Sequence, residues 1–148
     1  MTGWLEQQLP RLGQAHRHQI LQAGAVAAYH AEVGFPVVRL LLCDDASQFK
    51  GVTEELALCW IHEGRHYKQL EPLIPYHQAF LNGFLQRYWG FYGKLLHYRS
   101  QPTPIEAARL GEEFDELFSR VTGYQALDHR IALTQAKKEA LLKVLTHP

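Results

Sequence analysis

Residues 35–45 read FPVVRLLLCDD, and no other stretch limits the possible folds as much. Val37, Val38, Leu40, Leu41 and Leu42 form a nearly continuous apolar run. Its shortness and branched residues favour a strand over about 36–43, buried on both faces as in a parallel sheet. Arg39 interrupts the run and is expected toward an edge. A second short run, LALCWI at 56–61, also suits a strand, although a helix remains open there. Ahead of both, QILQAGAVAAYHAEV at 19–33 reads as a helix with a stripe of small residues, Ala23, Gly24, Ala27, Ala28 and Ala31. Gly34 is expected to stop it in the left-handed position after the cap.

The pattern changes near residue 70. Pro72 and Pro75 break the chain, and 77–100 then places Phe80, Leu81, Phe84, Leu85, Tyr88, Trp89, Tyr92, Leu95 and Leu96 at helical spacing. So broad an apolar arc predicts contact on more than one side. Thr103-Pro104-Ile105-Glu106 is a start signal, with Thr as N-cap, Pro at the first helical position and Glu as capping-box partner. That helix is expected to reach about Val121, with Phe114, Leu117, Phe118 and Val121 inward and Thr122-Gly123 ending it. A last helix is expected over 125–145, with Leu127, Ile131, Leu141 and Leu145 inward.

With 47 % hydrophobic and 20 % charged residues, the 148-residue chain is globular in composition and of a size for one ordinary domain. Fifteen Lys plus Arg balance fifteen Asp plus Glu, so no net basic charge points to a nucleic acid, and any such contact must be local. Cys43 and Cys59 are too few for a disulfide framework and suit a reducing cytoplasm. The opening MTGWLEQQLPRLGQAHRHQ has no apolar signal core, and no run approaches a membrane span.

Four groups of residues bear on chemistry. Asp44 and Asp45 follow the predicted strand, where ligands of open α/β sheets collect, and a carboxylate there suits a hard cation such as Mg²⁺. The plainer reading is that the pair caps the following turn. His62-Glu63-Gly64-Arg65-His66 matches H-E-x-x-H, in which two histidines one helical turn apart share a zinc and the glutamate is general base. Gly64 weakens a helix there, a strand-like run precedes it, and no third ligand follows at a familiar spacing. Cys59 and His62 form C-x-x-H, which without a second pair reads as a strand cysteine and a polar strand end. Arg65, His66 and Lys68, with Tyr67, form a basic-aromatic cluster fit either to meet phosphate or to face solvent. Tyr88, Trp89, Phe91 and Tyr92 fall at helical spacing beside leucines and read as core.

The stretch LLLCDDASQFKGVTEELALCWIHEGRHYKQL resembles the central part of insertion-sequence transposases with a DDE triad, close to the insertion-sequence-66-like group. Those proteins have a similar D-D-A-P-Q-F turn after a core strand, then C-W-x-H-x-x-R leading into a helix. Ser47 stands where they often have proline. RYWGFYGKLLHYRSQPTPIEAARL and EEFDELFSRVTGYQALDHRIALTQAKKEALLKVLTHP are similar to the group as well. The resemblance implies an α/β, mostly α fold: a partial RNase H-like core of one or two strands in 1–70 and a large helical insertion in 71–148. Asp44 takes the place of the second aspartate of the triad, with Asp45 as alternative, and Phe49 takes a packing position. Asp45 is then expected to bond the backbone of the following turn near Gln48.

The implied chemistry is Mg²⁺-assisted cleavage and transfer of transposon DNA strands. The first aspartate would lie upstream of Met1 and the glutamate beyond Pro148, so the chain reads as an internal piece, inactive alone, with no tightly held cofactor. A strand without its neighbours predicts marginal stability, self-association or pairing with complementing transposase pieces. Two other functions stay open: a zinc peptidase using His62, Glu63 and His66, and a helical module that binds a partner protein through its aromatic face.

Overall fold

A computed structural model describes residues 7, 8 and 11–148. The N-terminal stretch that lacks a signal core therefore lies partly outside the described residues. The chain divides into two compact units, one ending at Arg39 and the other running from Leu40 to Pro148. The described residues are mostly helical, with two parallel strands.

The first unit is built on α1, Gln14–His30. Its alanines favour helix, yet none of its residues is buried and nothing lies within 4 Å of a Cβ placed on Gly24. The helix ends at His30, well before Gly34, and Gly34 does not adopt a positive φ. The chain then folds back on the last turn: the Val38 N–H donates to Tyr29 Oη at 2.7 Å, and the Phe35 ring lies 6.2 Å from that of Tyr29.

The second unit opens with β1, Leu40–Cys43, paired in parallel with β2, Glu55–Leu58, so that Leu40 faces Glu55 and Cys43 faces Leu58. Both strands are shorter than the apolar runs that announce them. A strand lasts only as long as its partner, and β2 is cut short when the chain turns helical at Trp60. The connection carries a 3-10 turn at Ser47–Phe49. Then come α2 (Trp60–Lys68), α3 (Pro75–Tyr98), α4 (Pro104–Phe118), α5 (Gln125–Gln135) and a short α6 (Lys138–Leu141) with a 3-10 turn at Lys143–Leu145.

α3 buries Leu81, Phe84, Tyr88, Phe91, Leu95 and Tyr98, an alternating three-four spacing that draws one seam along the helix. α2 and α4 both pack against it. α4 starts as expected: Thr103 Oγ1 accepts from the Glu106 N–H at 3.2 Å, and Pro104 opens the helix. It stops at Phe118, so Val121 is exposed rather than inward. Asp128 accounts for the early stop. Its Oδ1 accepts from the Thr122 N–H and hydroxyl, each at 2.7 Å, and its Oδ2 from the Gly123 N–H at 3.0 Å, with Gly123 at φ 85°. The expected last helix over 125–145 is broken after Gln135, which lets Leu141 and Leu142 turn inward.

Trp60 joins these layers. Its indole N–H donates to the Leu141 carbonyl at 2.8 Å, its own carbonyl accepts from Tyr88 Oη at 2.7 Å, and its ring lies 5.4 Å from both Tyr88 and Phe91. The junction between β2 and α2 is thereby held against α3 and α6. No helix among the described residues is long and apolar enough to cross a membrane.

Candidate functional site

The chain leaves β1 at Asp44 and enters a turn that separates the two aspartates. Asp45 takes a positive φ of 68°, a region that aspartate tolerates better than most residues. Successive side chains thus part company. Asp44 is exposed, and its Oδ1 accepts from the Ala46 N–H at 3.2 Å. Asp45 is half-buried, and its Oδ2 meets Lys137 Nζ at 2.8 Å. The backbone bond expected of Asp45 near Gln48 is made instead by Asp44, to Ala46. The reason is the positive φ, which rotates Asp45 away from the turn and toward Lys137, just beyond α5.

Lys137 leads to a buried polar cluster. Its Nζ is 3.2 Å from Glu63 Oε2, and Glu63 is 4 % exposed. Glu63 Oε1 accepts from Arg130 and from Thr134 Oγ1, the latter at 2.5 Å. Tyr67 Oη lies 2.6 Å from Thr134 Oγ1, and the Arg130 guanidinium stands 5.9 Å over the Tyr67 ring. Because the Thr134 proton goes to Glu63, the Tyr67 hydroxyl donates to Thr134. Burial by itself would raise the Glu63 pKa, but the bonds from Thr134 and Arg130, with the charges of Arg130 and Lys137, hold it below the usual carboxylate value. Burial pushes the Tyr67 hydroxyl well above its ordinary value.

The H-E-x-x-H string lies wholly within α2, so the strand expected to run to Ile61 ends early and His62 and His66 do stand on one helical face. Glu63 is rotated about 100° from that face and directed into the core. Its carboxylate is taken up by Arg130, Thr134 and Lys137, which leaves it no freedom to act as a base on a zinc-bound water. Among the described residues no three His, Cys, Asp or Glu side chains stand together as a metal site. Cys59 is half-buried, between strand and helix rather than within the strand.

Gly64 is required by packing. A Cβ there would stand 2.7 Å from two ring carbons of Trp89. Its cost to helix propensity is thus offset by close approach of α2 to α3. Arg65, His66 and Lys68 are exposed on α2, and Lys68 Nζ lies 5.5 Å from the Trp89 ring centroid. Arg130, Thr134 and Lys137, which decide the state of Glu63, carry no signal in the sequence. They lie 67 to 74 positions away from it, and no local spacing connects them.

No family model matches the chain, and no solved structure matches it. It is 33 % identical over 120 residues to the uncharacterized protein y4jO of Sinorhizobium fredii. That stretch is 81 % of this chain and 36 % of the relative, so the chain spans little more than a third of that protein's length.

Proposed function

We propose that this chain is part of a DDE-type DNA transposase of the insertion-sequence-66-like group and that it does not cut or join DNA by itself. In this reading 1–70 belongs to an RNase H-like catalytic core and 71–148 to a helical insertion. The observation that carries the reading is Asp44: a carboxylate at the C-terminal end of a strand in a parallel pair, exposed, and oriented by the Ala46 N–H. Such a position suits a carboxylate that must meet a bound cation and a phosphate. The longer relative leaves room for the remaining carboxylates elsewhere in a complete protein.

The described residues do not fit a pair of Mg²⁺ ions. Asp44 offers one open carboxylate, Asp45 is tied to Lys137, and Glu63 is enclosed. A complete enzyme would have to add two acidic ligands to Asp44. Arg65, His66 and Lys68 are the candidates for contact with the DNA backbone.

The test is strand transfer of transposon-end DNA by the longer protein, read through the flanking coding sequence. Asp44→Ala is expected to abolish transfer in a protein that stays folded by circular dichroism. Full transfer by that variant, or flanks that encode unrelated intact genes, would refute the reading.

A further inference from the structure

Asp45 stands at φ 68°, a backbone state that is unfavourable for a residue with a side chain and persists where its surroundings impose it. Lys137 supplies the hold. Its Nζ lies 2.8 Å from Asp45 Oδ2 and 3.2 Å from Glu63 Oε2. Neither support of that bridge is loose. Glu63 is fixed by Arg130 and Thr134. The Lys137 backbone is fixed just beyond α5, its N–H donating to the Thr134 carbonyl and its carbonyl accepting from the Leu141 N–H, each at 3.0 Å.

The state of Asp45 decides what Asp44 does. The bond from the Ala46 N–H to Asp44 Oδ1, at 3.2 Å, closes a ring around residue 45. Returning residue 45 to a negative φ swings that N–H away from the Asp44 carboxylate. Beyond Ala46 the chain is anchored, because the Ala46 carbonyl accepts from the Phe49 N–H at 3.0 Å and Phe49 packs on the core. An exposed carboxylate on a turn would otherwise wander among rotamers. This one is aimed through a line of contacts that begins in the buried cluster around Glu63.

We infer that Lys137 is a positioning residue for Asp44: by holding the Asp45 carboxylate it keeps the turn in the left-handed form that points the Ala46 N–H at the Asp44 carboxylate. That this serves a reaction rests on the transposase reading, whereas the clamp on the turn does not.

Amide exchange at Ala46, followed by NMR in this chain, tests the clamp, and strand transfer by the longer protein tests its use. Lys137→Met and Asp45→Ala each remove one half of the ion pair, and both should speed that exchange about tenfold. Asp45→Ala leaves Lys137 on Glu63, so it reports on the turn even if Lys137→Met fails to fold. Asp45→Gly also removes the carboxylate but adopts a positive φ readily. It should stay within about threefold of the parent, alone or combined with Lys137→Met. Strand transfer should follow the same order, with its rate reduced and the affinity for transposon-end DNA unchanged. Ala46 exchange indifferent to Lys137→Met in a folded protein would overturn the inference. So would equal effects of alanine and glycine at position 45, since the pair would then act by charge and not through the backbone. Transfer lost in Asp44→Ala yet intact in Lys137→Met would overturn the positioning role. Transfer untouched by Asp44→Ala, with exchange ordered as expected, would remove the transposase reading and leave the clamp standing.

Discussion

Glu63 and Arg130 form an ion pair in the interior although 67 positions separate them, and their side chains are only 4 % and 14 % exposed. The pair ties α2 to α5, and Lys137 extends it to Asp45 at the end of β1. A buried pair is costly to break because the surviving charge is stranded. Glu63→Ala should therefore destabilise the fold by about 3–5 kcal/mol in urea unfolding. A loss under about 1 kcal/mol would place the cluster among exposed pairs, whose worth is that small.

The same carboxylate should make stability depend on acid. Its folded pKa lies below the ordinary 4.5, since the bonds from Thr134 and Arg130 more than offset the opposing effect of burial. A depressed pKa adds stability that is present above the unfolded value and is lost as pH falls through the folded one. The melting temperature should accordingly drop as pH goes below 4.5, and Glu63→Gln should flatten that part of the curve. Parallel curves for the two proteins would show that another group governs the loss.

Gly64 offers a steric test. A methyl group there would meet Trp89 at 2.7 Å, in a face closed on the other side by Tyr88 at 3.1 Å. Gly64→Ala should cost about 1–3 kcal/mol despite the better helix propensity of alanine. Trimming the ring in Gly64→Ala/Trp89→Leu should lessen the penalty of the glycine change. Gly64→Ala as stable as the parent, by thermal melting, would mean that the two helices separate freely.

The two aspartates should respond differently. Asp44→Ala removes the Ala46 bond and should cost about 1 kcal/mol, as the loss of a cap does. Asp44→Asn keeps an acceptor for that bond and should melt close to the parent. In a complete transposase both changes should abolish strand transfer, because each removes the charged ligand. Retained transfer in Asp44→Asn would remove Asp44 from the metal site.

Much of the framework is legible from local pattern. The wide arc of α3, the Thr103-Pro104 start of α4 and the apolar runs around β1 and β2 are written in spacing and in residues that favour one backbone state. The onset of α2 is harder to read. Trp60, Glu63, Gly64 and Tyr67 are its buried residues, at helical i, i+3, i+4 and i+7 spacing, yet one is charged and one has no side chain. Apolar periodicity registers neither, so LALCWI resembles a strand to its end.

Local chemistry thus determined the long helix after Pro75 and the one after Thr103, where their proline and threonine starts fall, and that an acidic turn succeeds a short apolar strand. Tertiary structure alone decided the lengths of β1 and β2, since each needs the other to persist. It also decided the division of labour between Asp44 and Asp45, because Lys137 draws one carboxylate inward and leaves the other at the surface. A charge such as that of Glu63 is buried only if cations from distant segments arrive with it, and their arrival is a property of the packed chain rather than of any stretch within it.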